Sequence, residues 1–319
     1  METTIGIDIS KALDLLSNGE LVAIPTETVY GLAANIEFER AVAKIFEVKN
    51  RPTFDPLIVH LYDKSELEKY CHSIAPEFET LYEAFCPGPL TFILPKRKNI
   101  SDLITAGQDS IGIRFPKHTL TRDLLKKGKF ALAAPSANPF GYVSPTSANH
   151  VAHQLGAKIP YILNGGECEV GLESTIIDLS RKKISVLRLG GLSLEEIESV
   201  LGFKVEANKT SSSNPKAPGM LSSHYSPSKK IIFNEEINFK EHEDLSKIGA
   251  IRFHTPTSAL VAENQWVLSE KADLNEAARL LFKVLRETDS TDLKLIYAQK
   301  FPEEGLGRAI NDRLKRAAY

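Results

Sequence analysis

The chain has 319 residues, of which 42% are hydrophobic and 25% charged, and its formal net charge is −2. This is ordinary globular composition for one large domain or two smaller ones, and no run of about 18 apolar residues predicts a membrane span. Neither the first 205 residues nor the remainder is basic as a unit, which argues against a domain devoted to nucleic-acid binding.

The three cysteines, Cys71, Cys86 and Cys168, are far apart and form no C-x-x-C motif. A sparse, odd number of cysteines is typical of reduced thiols in the cytosol. The first residues, Met1 to Thr4, lack the basic and apolar regions of a signal peptide. The sequence therefore predicts a cytoplasmic protein without a membrane segment.

Stretches with strand and helix patterns alternate over the first 205 residues. Hydrophobic periodicity predicts helices at 9–16, 41–46, 66–70, 78–85, 120–126 and 195–201. Short apolar runs predict strands at 21–24, 57–61, 90–94, 111–115, 130–134, 161–163, 175–179 and 184–189. The last two strands are joined by Arg181–Lys183 as a hairpin, so the pattern favours an α/β sheet that is not purely parallel.

Residues 206–229 have linker composition, rich in Ser, Pro and Lys. Strands at 230–233, 248–253 and 293–297, with helices at 274–286 and 308–317, then predict a small doubly wound domain. The predicted organisation is a domain at 1–205, a linker or lid at 206–229 and a second domain at 230–319.

Common nucleotide-binding motifs are absent, because the chain has neither a P-loop sequence nor G-x-G-x-x-G after a strand. Lys49 and Arg51, on a proline-stiffened loop, form a basic pair that suits a polyphosphate, although such a pair taken alone is more often part of a solvated loop. Thr28 and His60, at predicted strand ends, are individually typical of a turn residue and a structural histidine. Their occurrence near the basic pair favours a binding site.

Arg114 lies in the apolar strand that follows Ser110. An inward-facing arginine needs a partner, and both a ligand carboxylate and an internal ion pair satisfy that need. Ser136 lies in a loop of small residues directly after a strand, which lets a ligand approach the backbone. The nearby stretch 144–146 has the composition of a helix N-cap.

Ser174 lies at the start of a predicted strand, and Arg188 ends the following one beside a diglycine turn that suits a phosphate. His150 and His153 are spaced i,i+3, but no third ligand is near them in the sequence. We therefore interpret them as surface helix residues and predict no metal site made by the protein alone.

Taken together, these motifs resemble those of the YrdC-like threonylcarbamoyl-AMP synthases in their long, two-domain form. The motifs that carry the resemblance occur in register at 25–32, 49–60, 110–116, 135–138, 173–178 and 188–190, and the linker motif is at 218–227. The resemblance implies an open twisted mixed sheet followed by a small Rossmann-like domain. Asp55 departs from the pattern, because many members have Asn there, and Ser226 replaces the usual Ala.

Members of this family convert L-threonine, bicarbonate or CO2, and ATP into threonylcarbamoyl-adenylate and pyrophosphate. The resemblance therefore implies a nucleotidyltransferase that uses Mg²⁺ with ATP and serves tRNA modification. Its product passes to a TsaD-type transferase, so tRNA is an indirect partner.

The resemblance also implies roles for individual residues. The predicted catalytic pair is Lys49 and Arg51. The predicted threonine contacts are Thr28, His60, Arg114, Ala134 and Ser174. The predicted ATP contacts are Arg51, Asp55, Ser110, Ser136, Ser144, Arg188 and, from the linker, Tyr225. Asp55 also suits a magnesium ligand.

Two other functions stay open from the residues alone. An RNA-binding module is disfavoured by the near-neutral charge. Carbamoyl transfer from carbamoyl phosphate occurs in larger hydrogenase-maturation proteins with a related domain. Those proteins carry zinc-finger and acylphosphatase-like segments, and neither is visible in this sequence.

Overall fold

The computed structural model describes residues 2–207, 225, 229–234, 239 and 244–318. These residues form two β-sheets, one of eleven strands and one of four. The first sheet contains β1 (Thr4–Gly6), β2 (Val22–Ile24), β3 (Gly31–Asn35), β4 (Ile58–His60), β5 (Leu90–Pro95), β6 (Ser110–Arg114), β7 (Leu132–Ala133), β8 (Tyr161–Leu163), β9 (Thr175–Asp178), β10 (Ser185–Arg188) and β11 (Glu206–Ala207). The second contains β12 (Lys230–Asn234), β13 (Ile248–Arg252), β14 (Gln265–Val267) and β15 (Leu295–Gln299).

The described part of the chain also has α-helices in both regions. They are α1 (Ile9–Ser17), α2 (Glu39–Lys49), α3 (Glu77–Phe85), α4 (Asp102–Thr105), α5 (Thr119–Gly128), α6 (Ala148–Leu155), α7 (Leu194–Leu201), α8 (Leu274–Asp289) and α9 (Gly307–Ala317). The predicted helix at 66–70 is instead a 3-10 helix, Lys64–Lys69. No described helix is long and apolar enough to cross a bilayer.

The first sheet is open and mixed, as predicted. Its strand order is β1-β8-β2-β3-β7-β4-β6-β5-β9-β10-β11, so β1 and β11 are its two edges. Parallel pairs such as β4 with β6 alternate with antiparallel pairs such as β9 with β10, which is the predicted hairpin. The edge strand β1 pairs with β8. The sequence patterns did not indicate β1, which has only three residues.

The second sheet is wholly parallel, with the order β12-β15-β13-β14. Helix α8 packs its apolar residues, among them Leu281 and Phe282, into the core of this domain. Parallel strands connected through helices are the expected arrangement of a Rossmann-like domain, and the predicted fold class is confirmed. Strand β14 was not predicted.

Local signals explain how helices place the candidate residues. Helix α2 ends at Asn50, which adopts a left-handed conformation with φ of 51° and turns the chain. Asn tolerates this conformation better than most residues, so Lys49 and Arg51 leave the helix in different directions. The N-cap of α6 is Ser147, whose side chain accepts a hydrogen bond from the His150 N–H, rather than a residue of 144–146.

The two regions share a hydrophobic core. Val29, Val143 and Leu172 of the first region pack with Tyr225 and the apolar face of α8. Gly171 permits this contact, because it has a φ of +76° and a Cβ there would lie 2.5 Å from the Cα of Arg279. The cavity described next therefore lies beside a packed interface.

The linker prediction is only partly within the described residues. Glu206 and Ala207, placed in the linker by composition, form β11 of the first sheet. Of the motif at 218–227, the structure describes Tyr225 alone. The predicted domain limits themselves stay predictions.

Candidate active site

Polar side chains from distant parts of the sequence meet in one cavity at the ends of interior strands of the first sheet. Its volume is about 50 Å³. Its lining consists of Val29, Arg51, Ile58, His60, Arg114, Ala134, Pro135, Ser136, Glu173, Ser174, Arg188 and Tyr225. Strand pairing explains the convergence, because His60 and Arg114 are partners at the ends of parallel β4 and β6.

Arg114 has both an internal partner and an unused donor. Its Nη2 donates to Oε1 of Glu27 at 2.7 Å, and both side chains are buried. Glu27 Oε2 accepts the N–H of Lys117 at 2.9 Å. The Nε of Arg114 has no hydrogen-bond partner among the described residues. The ion pair therefore fixes Arg114 and leaves a buried donor beside the cavity, where a carboxylate would satisfy it.

His60 is a neutral imidazole in this setting. Burial, together with the positive charge of Arg114, lowers the pKa of His60 to about 3. Its Nδ1 lies 3.3 Å from the carbonyl oxygen of Ile58. If that nitrogen carries the proton, Nε2 is an acceptor, which suits a ligand ammonium or hydroxyl group.

Ser174 links two strands at the cavity wall. Its hydroxyl lies 2.7 Å from Oγ1 of Thr91, and its carbonyl accepts from Nε and Nη2 of Arg188 at 3.1 and 2.9 Å. A Cβ at Gly190 would lie 2.2 Å from the carbonyl oxygen of Glu173, so only glycine allows this close approach. Burial lowers the pKa of Arg188 to about 10, which still leaves it charged.

Arg51 forms a buried ion pair with Asp55. Nη2 of Arg51 lies 2.9 Å from Oδ2 of Asp55, and the same nitrogen donates to the carbonyl of Pro56 at 2.8 Å. Oδ1 of Asp55 has no hydrogen-bond partner among the described residues. Burial raises the pKa of Asp55 against the opposing effects of Arg51, Lys49 and Arg188. Arg51 lines the cavity, whereas Asp55 lies behind it.

Lys49 occupies a different position from the one expected of a phosphate ligand. It is buried, and its ammonium group donates to the carbonyls of Ser136, at 2.5 Å, and Asn138. Burial and the charge of Arg51 lower its pKa well below the ordinary value. In this structure Lys49 holds the loop that carries Ser136 and does not line the cavity.

Ser144 reaches the cavity only through Glu173. Its hydroxyl donates to Oε1 of Glu173 at 2.6 Å, and Oε2 accepts from Nε of Arg313 in α9 at 3.0 Å. Burial raises the pKa of Glu173, but the charges of Arg313 and Arg188 outweigh it and lower the pKa to about 2. Glu173 is therefore an ionised carboxylate at neutral pH.

The other predicted contacts are placed as follows. Ala134 and Ser136 line the cavity directly. Thr28 is buried next to the lining residue Val29, with its hydroxyl 2.8 Å from that of Thr26. Tyr225 lines the cavity and stacks on Phe282 of α8 with ring centroids 5.4 Å apart.

Ser110 is not brought to the cavity. It lies at the opposite end of β6 from Arg114, four residues or about 13 Å away along the strand. It lines a separate surface groove of about 550 Å³. The remaining lining of that groove is His72, Pro95, Gly107, Gln108, Asp109, Ser180 and Arg181. Because the smaller cavity gathers the buried arginines, we assign the chemistry there.

Three residues of the site were missed from sequence patterns. Glu27 and Glu173 are acids beside predicted contacts, and a search for the partner of a buried arginine would have identified them as candidates. Arg313 is 140 positions from Glu173. No local pattern relates residues so far apart. Among the described residues no group of His, Cys, Asp and Glu suits a metal ion, and His150 and His153 lie on α6.

The chain is similar to known proteins over nearly its whole length. One family model, described as telomere recombination, matches residues 14–190, and a second, described as the C-terminal domain of threonylcarbamoyl-AMP synthase, matches residues 192–319. The threonylcarbamoyl-AMP synthase of Pyrococcus abyssi is 41% identical, covering 96% of this chain and 93% of the relative. That of Bacillus subtilis is 37% identical, covering 97% and 92%.

A solved structure agrees with this similarity. The crystal structure of Pyrococcus abyssi Sua5 complexed with L-threonine superposes with a TM-score of 0.90 at 39% identity, covering 99% of this chain and 97% of the other. Similarity at this level extends through both domains. The chain belongs to the threonylcarbamoyl-AMP synthase family, in its two-domain form.

Proposed function

We propose that this protein joins L-threonine, CO2 or bicarbonate, and ATP to give threonylcarbamoyl-adenylate and pyrophosphate. The observation that carries the proposal is the gathering of three buried arginines, Arg51, Arg114 and Arg188, around one cavity with a neutral histidine. Buried cations are costly unless they meet anions. A carboxylate and a triphosphate in one substrate pair supply such anions.

Threonine binds with its carboxylate against Arg114, whose Nε has no other partner among the described residues. Neutral His60 accepts a hydrogen bond from the ammonium or the hydroxyl group. The pKa of His60, about 3, is too low for efficient removal of an ammonium proton, because a general base works best near the operating pH. His60 therefore orients threonine, and the proton leaves to solvent before the cavity closes.

The chemistry needs two bond-forming steps. The free amine of threonine attacks CO2 and loses a proton, which gives an N-carboxylate. An oxygen of this carbamate then attacks the α-phosphorus of ATP in line, and the bond to pyrophosphate breaks. Such a transfer depends on alignment and on neutralisation of charge rather than on a covalent enzyme intermediate. Arg51 and Arg188 are placed to provide that charge.

Mg²⁺ would enter the site together with ATP. Magnesium ions in nucleotide sites are held by substrate phosphates, water and one or two carboxylates. Asp55 pairs with Arg51 and does not line the cavity, so it would hold the ion only after a rearrangement of the loop that carries it. When bound, the ion would neutralise phosphate charge. Lys49 contributes by fixing the Ser136 loop.

Substrate entry requires the cavity to widen. Its volume of about 50 Å³ is below the roughly 300–1,000 Å³ of typical small-molecule sites. Tyr225 is the lining residue that comes from the linker region, and it also packs on the second domain. Withdrawal of Tyr225 would open the site, and its return would shield the unstable carbamate from water.

The expected acceptor of the product is a TsaD-type transferase, which completes the modification of tRNA. We place the reaction in the cytosol, and the three free cysteines are consistent with that compartment. A direct role for tRNA finds no support in the net charge of −2.

The test is an amino-acid survey. Purified protein is incubated with ATP, Mg²⁺, bicarbonate and each amino acid in turn, and pyrophosphate is measured. Threonine should give the largest release, with at most weak release from serine. Release that is independent of the amino acid, or no release with threonine, would refute the proposal. Salt-sensitive tRNA binding without ATP turnover would favour the RNA-binding alternative.

A further inference from the structure

A single side chain of the second domain touches several segments that build the cavity. Arg313 of α9 is fully buried. Its Nε donates to Glu173 at 3.0 Å, and its Nη2 donates to the carbonyl of Leu189 at 2.8 Å. Its guanidinium carbon lies 5.1 Å from the ring centroid of Tyr225, in a cation–π arrangement.

Two of these partners are the immediate neighbours of predicted substrate contacts. Glu173 precedes Ser174, and Leu189 follows Arg188. Arg188, at the end of β10, donates to the carbonyl of Ser174, just before β9. Arg313 connects the same two strand ends through Glu173 and Leu189. A change in Arg313 therefore alters the spacing of β9 and β10 at the cavity.

Arg313 is also connected to Ser144 through Glu173. Oε2 of Glu173 accepts from Arg313, and Oε1 accepts the Ser144 hydroxyl at 2.6 Å. Because Arg313 holds Oε2 of Glu173, it also fixes the orientation of Oε1. The position of the Ser144 hydroxyl, which donates to Oε1, therefore depends on Arg313. The remaining terminal nitrogen, Nη1, donates to Asp312 at 2.7 Å, which completes the partners of the guanidinium group.

We propose that Arg313 is a positioning residue through which the second domain sets the geometry of the ATP-binding side of the cavity. It does not line the cavity and acts through Glu173, Leu189 and the Tyr225 ring. The proposal rests on the proposed function and adds a role for the second domain. It differs from simple domain adhesion, because the three partners adjoin or line the cavity. The pair Arg308–Glu195, also between the regions, is partly exposed.

The variants separate geometry from charge. Arg313→Lys keeps the charge but loses the planar fork that reaches Glu173 and Leu189 together. Arg313→Met keeps the stem but loses the charge, and it leaves Glu173 as an unpaired buried carboxylate. Arg313→Met/Glu173→Gln removes that uncompensated charge. Arg308→Gln is the matched control, because it breaks a contact between the same two regions away from the cavity.

The experiment uses the full-length protein and measures urea unfolding, calorimetric binding of ATP and of threonine, and the kinetics of pyrophosphate release. We expect Arg313→Lys to unfold cooperatively and to raise the KM for ATP at least tenfold, with a smaller change in the Kd for threonine, because only Ser174 among the predicted threonine contacts adjoins a partner of Arg313. Arg308→Gln should stay within twofold of wild type in every parameter. The double variant should recover the urea midpoint lost by Arg313→Met but not the ATP affinity.

Two results would overturn the proposal. One is an Arg313→Lys protein with a KM for ATP within twofold of wild type. The other is a double variant with wild-type ATP affinity, which would mean that Arg313 only neutralises Glu173. If the Arg313 variants do not fold, Asp312→Asn replaces them, because it loosens Arg313 from the solvent side. A threefold rise in KM for ATP is then expected, and no rise refutes the proposal.

The outcomes are distinguishable from failure of the proposed function. If wild-type protein releases no pyrophosphate with threonine, the proposed reaction is wrong. If wild-type protein is active and Arg313→Lys behaves like wild type, only the role of Arg313 is wrong.

Discussion

Two buried arginine–glutamate pairs lie beside the same cavity, and they differ in whether the arginine has a nitrogen donor without a protein partner. Arg114 pairs with Glu27 within the first region, and its Nε has no partner among the described residues. Arg313 pairs with Glu173 between the regions, and each of its three nitrogens has a partner. The first pair prepares a receptor for a ligand, whereas the second holds other groups in place.

An arginine that is already ion-paired in a site can therefore still bind a ligand. A glutamate that occupies one edge of a guanidinium group fixes its orientation at the cost of one donor position. The donor positions that remain decide the role of the arginine. Arg51 also lines the cavity while paired with an acid, Asp55.

The largest expected combined effect on substrate affinity and stability is that of Arg114→Met. It removes the proposed carboxylate receptor and leaves Glu27 buried without its cation. We expect at least a 100-fold loss of threonine affinity, and a loss of about 3 kcal/mol in the free energy of unfolding. Calorimetry and urea titration measure the two effects. Adding Glu27→Gln should restore stability but not threonine binding, and retained threonine affinity in Arg114→Met would make the pair purely structural.

Arg51→Ala should abolish threonine-dependent pyrophosphate release while costing less stability than Arg114→Met. The reason is that burial already raises the pKa of Asp55, so this acid can take up a proton when its cation is lost. Pyrophosphate release and urea midpoints of the two variants provide the comparison. Near-normal release from a folded Arg51→Ala protein would remove Arg51 from the phosphate role, and Arg51→Lys serves as the charge-retaining control.

The Glu173–Arg313 pair should contribute an acid-sensitive share of stability. The pKa of Glu173 is about 2 in the folded protein, below its ordinary value of 4.5. Its stabilising contribution is therefore fully present above about pH 4.5 and is lost as the pH falls toward 2, with a total of roughly 3 kcal/mol. Urea unfolding of wild type and Glu173→Gln at pH 6 and pH 3 should give a difference that shrinks at the lower pH. An unchanged difference would contradict this assignment.

The smallest effect is expected from an exposed ion pair. Lys183, in the turn before β10, pairs with Glu206 of β11, and the two side chains are 72% and 64% exposed. Water and salt screen such pairs, so Lys183→Ala should change the free energy of unfolding by about 0.5 kcal/mol or less. Thermal unfolding at low and high salt measures this. A larger change would show that burial is not what separates the cavity pairs from the surface pairs.

Much of the fold could be predicted because its signals are local. Alternating apolar runs and helical periodicity located most strands and helices of both domains, and the hairpin at Arg181–Lys183 was correct. The edge strands β1 and β14 were missed, and so was the interior strand β3, whose residues Gly31–Asn35 include no β-branched or aromatic side chain. The helix cap at Ser147 was placed a few residues early, because several residues in that stretch are good cap formers.

For the candidate site, the sequence identified many of the residues but not the positions of all of them. Motifs in register named eight of the lining residues of the cavity, and their roles as substrate contacts stay predictions. Lys49 and Ser110 show what a motif leaves undecided. The ammonium group of Lys49 is turned under the Ser136 loop, and Ser110 lies at the far end of its strand. Neither position follows from being next to other motif residues in the sequence.

The sequence by itself determined the family, the two α/β domains and the residue types of the site, because each depends on local patterns or on motifs in order along the chain. Only the tertiary structure decided which arginine meets which glutamate and which donors remain for a ligand. Glu27 and Arg114 are 87 residues apart, and Glu173 and Arg313 are 140 apart. Contacts over such separations are set by how strands and domains pack, and burial then determines how strongly the charges act.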